Sequence, residues 1–272
     1  MLKLGHIAYS NCVPVHGRFL EQGPPPEVTL VHGVPAQLNR RLACGEIDIA
    51  PASSIEYARH ADAYRILPSF SISARGPVQT IQLLTRRPIE DLADGSHLAL
   101  PTASATSVAL LKIMMRQRFG IQPEYVWFEQ ELQDPFATGT DAALYIGDIA
   151  YRQRRRTDRH AYDLAELWVE WTGLPFVFAL WQTGVEPQRH GELRGLVREL
   201  IESREWSQQR LPQLAARYAD EYRWSTDELV SYWESLRYDW SEELASGLEE
   251  FYRRAAELGE IGGAPAPRFL EV

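Results

Sequence analysis

Short apolar runs alternate with amphipathic segments along the first 90 residues, and this alternation restricts the chain to an α/β fold. LKLGHIAY, EVTLVHG and IDIAPASS are predicted strands, whereas VPVHGRFLEQ and PAQLNRRLACG have helical spacing. Leu38 and Leu42 lie one helical turn apart, and Gly45 follows them where a helix would end. Strands that alternate with helices predict a mostly parallel sheet covered by helices.

A second α/β pattern begins near Pro88 and gives way to helices alone. HLALP, PEYVWFE and DAALYIG are predicted strands, and TSVALLKIMMRQRFG is the clearest helix of the chain. Beyond WTGLPFVFALW the spacing is helical throughout, and Ser225 with Glu228 forms a capping box. We therefore expect two lobes: residues 1–88 and 177–272 would form lobe 1, including a helical C-terminal tail, and residues 89–176 would form lobe 2.

Two lobes joined by two crossings of the chain leave a cleft between them. Strand ends and helix N-termini from both sides would face this cleft, an arrangement that suits a small anion. The net charge of −9 argues against nucleic acid as a partner, because phosphate binding needs a basic face. A small anionic ligand would therefore depend on hydrogen-bond donors placed locally in the cleft.

The sequence also indicates the cellular compartment in which the protein would be found. The N-terminal residues lack the long apolar segment of a secretory signal, and no stretch approaches the roughly 18 apolar residues of a membrane span. We expect a cytoplasmic protein with no membrane partner. Cys12 and Cys44 do not make a disulfide framework, and Cys12 is predicted to be a buried thiol rather than a nucleophile.

Familiar cofactor motifs are absent from the sequence. There is no G-x-G-x-x-G, P-loop, H-E-x-x-H or paired C-x-x-C, so we expect neither a nucleotide cofactor nor a metal. The seven histidines are scattered without metal-ligand spacing, and we predict structural or surface roles for them.

The candidate site residues are uncharged hydrogen-bonding side chains at predicted strand-to-helix junctions. They are Asn11, Ser53, Ser54, Thr80, Ser104, Thr106 and Ser107. Each of them alone suits a helix cap as well as a ligand contact. Their recurrence at corresponding junctions of two lobes favours a shared site, in which hydroxyl and free N–H groups would bind a carboxylate.

The same segments resemble a known family, the menaquinone biosynthesis enzymes of the futalosine route. The resemblance extends from residue 3 to about residue 182, and the segment LRYDWSEELASGLEEFY shows a weaker similarity. The matching motifs are AYSNCVPV, GEIDIAPASSIEYAR, ISARGPVQTIQLLTRRPIEDL, TASATSVALL, DAALYIGDIA and DLAELWVEWTGLPFVFALW. The resemblance implies the two-lobe fold of type II periplasmic binding proteins.

The family has two branches, one that dehydrates chorismate and one that forms 1,4-dihydroxy-6-naphthoate. The second branch carries a His-Glu pair, whose histidine is its base, where this chain has Gly147 and Asp148. The resemblance therefore implies a lyase that converts chorismate to 3-[(1-carboxyvinyl)oxy]benzoate. The alternatives are the naphthoate-forming branch and a non-catalytic solute-binding or sensor protein of the same fold.

The reaction that the resemblance implies leads us to hypothesise roles for the candidate residues. Asn11 matches the asparagine of the family motif and would orient the enolpyruvyl arm, and Thr80 is the second catalytic candidate. Thr106 and Ser107 would bind one carboxylate of the substrate. Ser53, Ser54 and Thr80 would serve the other carboxylate or the departing hydroxyl, and Ser104 would complete the substrate contacts. The partner would be the dicarboxylate chorismate, bound by a monomer or homodimer.

Overall fold

Two five-stranded sheets form the framework of the protein, whose computed structural model describes residues 1–186 and 189–271. The strands are β1 (Leu2–Ile7), β2 (Val28–Gly33), β3 (Ile49–Ser53), β4 (Arg65–Ala74), β5 (Ile81–Thr85), β6 (His97–Pro101), β7 (Glu124–Phe128), β8 (Ala142–Ile146), β9 (His160–Asp163) and β10 (Phe176–Thr183). The strand order is β2-β1-β3-β10-β4 in the first sheet and β7-β6-β8-β5-β9 in the second.

Both sheets are mixed, which corrects the expectation of mostly parallel sheets. In the first sheet β1 pairs in parallel with β2 and β3, whereas β10 is antiparallel to β3 and β4. In the second sheet β6 is parallel to β7 and β8, and β5 is antiparallel to β8 and β9. The antiparallel strands β5 and β10 are those on which the chain enters the second sheet and returns to the first.

The predicted lobe boundary at residue 88 is wrong by one strand. Strand β5 pairs with β8 and β9, so it belongs to the second sheet. The sequence could not separate it from β4, because both are short apolar runs and only their pairing partners differ. The chain therefore leaves the first sheet between residues 74 and 81, and it returns at β10. We call the first sheet with its covering helices lobe 1 and the second lobe 2.

Helices cover both sheets, and in the described part of the chain four further helices follow β10 up to Glu257. They are α1 (Val13–Gln22), α2 (Pro35–Ala43), α3 (Ser54–Arg59), α4 (Thr106–Ile113), α5 (Gly147–Gln153), α6 (Leu164–Thr172), α7 (His190–Gln208), α8 (Leu211–Tyr222), α9 (Thr226–Ser235) and α10 (Glu242–Glu257). The Ser225–Glu228 capping box at the start of α9 is confirmed. Within the described residues, none of these helices combines the length and the apolar character that crossing a bilayer requires.

The C-terminal helices contact both lobes. Helix α7 packs along α1 of lobe 1, and α10 packs on β10 of lobe 1 and on α4 of lobe 2. The indole of Trp224, between α8 and α9, stacks on the ring of Tyr151 in lobe 2 with their centroids 3.3 Å apart. The C-terminal helices therefore contact both lobes where the lobes meet.

Candidate active site

Six of the seven predicted site residues line one small cavity between the two sheets. The cavity has a volume of about 50 Å³, and the six residues are Asn11, Ser53, Thr80, Ser104, Thr106 and Ser107. They converge because most of them follow parallel strands: Asn11 comes after β1, Ser53 ends β3, and the serine and threonine cluster comes after β6. The carboxyl ends of such strands form the usual ligand site of an α/β fold.

Asn11 is a cavity residue and not a helix cap. It lies in the single 3-10 turn Ser10–Cys12, and the residue that precedes α1 is Cys12, whose side chain makes no capping bond. The Asn11 Oδ1 atom is buried and has no hydrogen-bond partner among the described residues. Buried amide oxygens are nearly always paired in folded proteins, so this oxygen is available to a bound ligand.

Ser53 and its neighbour Ser54 have different surroundings. The Ser53 N–H donates to Asn39 Oδ1 at 3.1 Å, and Gln182 Nε2 donates to the Ser53 carbonyl oxygen at 3.0 Å. These bonds fix the backbone beside the cavity. The Ser54 hydroxyl instead donates to the Val177 carbonyl oxygen at 2.7 Å, and the structure places Ser54 behind the cavity wall. Consecutive residues at a strand end point to opposite sides, which the sequence motif could not resolve.

The start of α4 joins lobe 2 to lobe 1. Thr106 Oγ1 accepts the N–H of Ile55, in the first turn of α3, at 3.2 Å. Ser107 donates its own N–H to Ser104 Oγ at 3.3 Å. Thr106 is therefore already engaged with lobe 1, whereas the hydroxyl of Ser107 is free of protein partners within the described residues and faces the cavity.

Thr80 is held from two sides. Its hydroxyl lies 3.0 Å from the phenol oxygen of Tyr232, and its carbonyl oxygen accepts the N–H of Gly147 at 2.8 Å. Burial raises the pKa of Tyr232 far above its usual value, so this phenol stays protonated at neutral pH. Thr80 is thus positioned by α9 and by the start of α5, and neither contact is visible in the sequence.

The cavity lining carries no formal charge within the described residues. Beside the six polar residues it consists of the side chains or backbone of Ile7, Tyr9, Pro35, Ile72, Ile81, Ile146, Gly147, Phe178 and Ala179. Tyr9 is the one titratable group among them, and burial, with the charges of Glu131 and Asp148, raises its pKa well above its usual value. Its phenol oxygen accepts a hydrogen bond from Gln130 Nε2 at 3.3 Å. The described lining therefore offers no general base near neutral pH.

Gly147 allows the close contact between the lobes at Tyr9. Its φ of +65° lies in the left-handed region, and a Cβ atom at this position would lie 3.0 Å from the Tyr9 ring. A larger side chain here would displace Tyr9 or open the cleft. Neither Tyr9 nor the apolar walls were predicted as site residues, because nothing in a single apolar run distinguishes a cavity wall from ordinary core.

One cluster outside the cavity has side chains of metal-binding type: the ligand atoms of His6, Cys12 and His16 lie within 4.8 Å of one another. Trp181 Nε1 donates to His16 Nε2 at 3.1 Å, so the neutral His16 ring carries its proton on Nδ1, 3.0 Å from His6 Nδ1. Burial lowers the pKa of His6 to about 3 and raises that of Cys12 to about 12. The cluster therefore fits a buried hydrogen-bond chain better than a metal centre.

Sequence comparison with known proteins finds two chorismate dehydratases that are similar to this chain. A chorismate dehydratase of Thermus thermophilus is 32% identical over 264 residues, which cover 91% of this chain and 93% of that protein. A second chorismate dehydratase, from Campylobacter jejuni, is 31% identical over 180 residues, or 64% of each chain.

Solved structures agree with the two-lobe architecture. A crystal structure of a protein from Archaeoglobus fulgidus superposes with a TM-score of 0.77 at 20% identity, covering 96% of this chain and 98% of that one. The periplasmic aliphatic sulphonate binding protein of Escherichia coli gives a TM-score of 0.68 at 15% identity, covering 100% and 94%. The fold is thus that of a periplasmic binding protein. The sequence profile of the menaquinone biosynthesis family matches residues 2–257, and the chain belongs to this family.

Proposed function

We propose that the protein is a carbon–oxygen lyase that removes water from chorismate to give 3-[(1-carboxyvinyl)oxy]benzoate. The observation that carries this proposal is the uncharged cavity, in which the unpaired amide oxygen of Asn11 and several hydroxyl groups face the same space. Two relatives named chorismate dehydratase, one of them matched over nearly its whole length, support the same reaction.

The reaction needs stabilisation of developing negative charge more than a strong base. The proton to be lost lies on the ring carbon that bears the enolpyruvyl ether, in vinylogous conjugation with the ring carboxylate. As it leaves, charge spreads into that carboxylate; the neighbouring hydroxyl then departs as water and the ring becomes aromatic. Donors aimed at the ring carboxylate bind more tightly in the transition state than in the ground state, which is the condition for catalysis.

The start of α4 is suited to hold the ring carboxylate. Ser107 lines the cavity there with a hydroxyl free of partners among the described residues, and the first N–H groups of an α-helix have no partner inside the helix, although that of Ser107 already donates to Ser104 Oγ. Thr106 contributes by fixing this end of α4 against the backbone of Ile55. Ser53 and Thr80 remain for the second carboxylate or the departing hydroxyl.

The base in this proposal is the substrate itself. Because the described lining offers no ionisable base, the side-chain carboxylate of chorismate accepts the ring proton. The Asn11 amide would hold that carboxylate over the ring by donating an N–H to it, and its unpaired Oδ1 would accept a hydrogen bond from the hydroxyl group of chorismate. An amide cannot accept the proton in its place, so its role is orientation.

A direct assay tests the function. Purified protein is incubated with chorismate and a metal chelator, and the aromatic enol-ether product is followed by its absorbance and identified by mass as chorismate minus one water. Turnover that depends on Asn11, and that is greatly reduced but still measurable in the Asn11→Ala variant, is the expected result. Chorismate that binds without reacting would overturn the lyase and favour a solute-binding protein.

The naphthoate-forming branch is disfavoured by the geometry at Gly147. The base of that branch would require a histidine side chain there, and even a Cβ atom would lie 3.0 Å from the Tyr9 ring. Turnover of the precursor of 1,4-dihydroxy-6-naphthoate, with none of chorismate, would reverse this assignment.

A further inference from the structure

Ser10, the residue before Asn11, is bound at all of its polar groups by distant parts of the chain. Its N–H donates to Asp148 Oδ2 at 3.1 Å and its hydroxyl to Asp148 Oδ1 at 2.5 Å. Its carbonyl oxygen accepts the indole N–H of Trp233, in α9, at 2.9 Å. The conformation of the turn that carries Asn11 is therefore fixed from outside that turn.

The Asp148 carboxylate joins three parts of the molecule. It lies in the first turn of α5 on lobe 2, whereas Ser10 follows β1 on lobe 1. The indole N–H of Trp224, from the C-terminal helices, donates to Asp148 Oδ1 at 2.9 Å. Only 6% of Asp148 is exposed, so its charge depends on these three donors for the solvation that water would otherwise supply.

We infer that Asp148 is a positioning residue that couples closure of the two lobes to the orientation of the Asn11 amide. The inference rests on the proposed function, in which Asn11 orients the substrate carboxylate. Asp148 does not line the cavity itself, so it acts through Ser10.

The geometry of opening gives the coupling. Any motion that separates the end of β1 from the start of α5 breaks both bonds between Ser10 and Asp148. The turn Ser10–Cys12 has no side-chain cap of its own, so it then loses the contacts with lobe 2 that fix it. Tyr9 is released by the same motion, because its ring packs on Gly147 and its hydroxyl is bound by Gln130.

The substitution Asp148→Asn tests the inference. Its amide nitrogen would face the Ser10 N–H, so two donors would meet where an acceptor is needed. Loss of a hydrogen bond to a charged group predicts a fall in kcat of about ten- to a hundredfold. Ser10→Ala, which removes the hydroxyl alone, should lower kcat less. The matched control Asp158→Asn, at an exposed carboxylate of the same lobe, should leave kcat and KM unchanged.

A double-mutant cycle separates positioning from general damage. If Asp148 acts through Asn11, the variant Asp148→Asn/Asn11→Ala should be no slower than Asn11→Ala alone. If Asp148→Asn lowered kcat by the same factor in the parent protein and in Asn11→Ala, Asp148 would act independently of Asn11, and the inference would be overturned. A kcat of Asp148→Asn within twofold of the parent protein, with similar melting temperatures, would overturn it as well.

Amide hydrogen exchange provides a second test of the inference, which does not require the protein to turn over a substrate. In Asp148→Asn the peptide covering residues 8–15 should exchange faster than in the parent protein, while the control Asp158→Asn should not change it. Should the parent protein fail to convert chorismate, the proposed function fails, and this exchange alone decides on Asp148. Faster exchange then supports the structural coupling, and unchanged exchange overturns it.

Discussion

At the scale of single residues, the amide of Asn11 differs from a carboxylate of the same size in being able to donate. Its oxygen is unpaired among the described residues, and it lies among neutral groups that could not compensate an added charge. A second anion beside the substrate carboxylate would repel it across a desolvated cavity, where such repulsion costs several kcal/mol.

Asn11→Asp should therefore lower kcat/KM for chorismate by roughly 100-fold or more. The melting temperature of Asn11→Ala, which adds no charge, should change little, because Asn11 caps no helix, and a lost cap would cost about 0.5–2 kcal/mol. Steady-state kinetics of the aspartate variant and thermal melts of the alanine variant separate the orienting role from a capping role. Near-normal turnover by the aspartate variant would contradict the orienting role.

The two thiols should differ in reactivity. Cys12 is buried, and burial raises its pKa to about 12, whereas Cys44 is exposed. Only thiolate reacts with iodoacetamide, so we expect one label per folded chain at pH 8 and two after denaturation. Peptide mapping identifies the labelled site, and Cys44→Ser should abolish labelling of the folded protein. Rapid modification of Cys12 in the folded state would refute the buried, protonated thiol.

At the scale of elements, the sequence located junctions better than it located contacts. Strand ends followed by serine, threonine or asparagine could be recognised locally, and five such residues line the cavity, joined by Thr80 just before β5. That Ser53 lines the cavity whereas Ser54 does not depends on the alternation of side chains along a strand. That β5 belongs to the second sheet depends on the strands with which it pairs. The contacts at Tyr9 and Asp148 arise only when the lobes meet, so no local pattern could reveal them.

Gly147→Ala tests the closest contact between the elements of the two lobes. Its φ of +65° costs a β-carbon about 1–2 kcal/mol, and that atom would also press on the Tyr9 ring. We expect a lower melting temperature and a loss of activity, measured by thermal melts and the chorismate assay.

Gly173→Ala is the matched control for this substitution. Gly173 has a similar φ of +71°, but among the described residues no atom beyond its two chain neighbours lies within 4 Å of the place that a β-carbon would occupy there. It should lose comparable stability and keep its activity. If both alanine variants retained full activity, the contact between Tyr9 and Gly147 would not shape the site.

At the scale of the whole molecule, the cavity is small for its proposed substrate. Its volume of about 50 Å³ compares with roughly 300–1,000 Å³ for typical ligand sites. In the proposed reaction the lobes must therefore move apart to admit chorismate, and Asn11, Ser107 and Thr80 would then contact it from the two lobes. Closure would also exclude water from the cavity, which strengthens the hydrogen bonds that neutral donors make to a carboxylate.

The buried histidine pair adds a dependence of global stability on pH. Burial, followed by the charge of His32, lowers the pKa of His6 to about 3, and burial lowers that of His16 well below 6.5. In the unfolded chain both rings titrate near 6.5. Below that pH the unfolded chain binds protons that the folded protein excludes, so the free energy of unfolding falls on acidification, by about 1.4 kcal/mol per pH unit for each ring.

A buried carboxyl opposes this trend in part. Burial raises the pKa of Asp163 to about 6, so the folded protein gains a proton there before the unfolded chain does, which adds stability as the pH falls below 6. The histidine contribution is isolated by comparing slopes rather than absolute values. Urea unfolding between pH 7 and 5 should give His6→Gln a slope shallower than that of the parent protein by about 1 kcal/mol per pH unit on average, because the unfolded ring is only partly protonated near pH 6.5. Equal slopes for the two proteins would mean that His6 is protonated in the folded state.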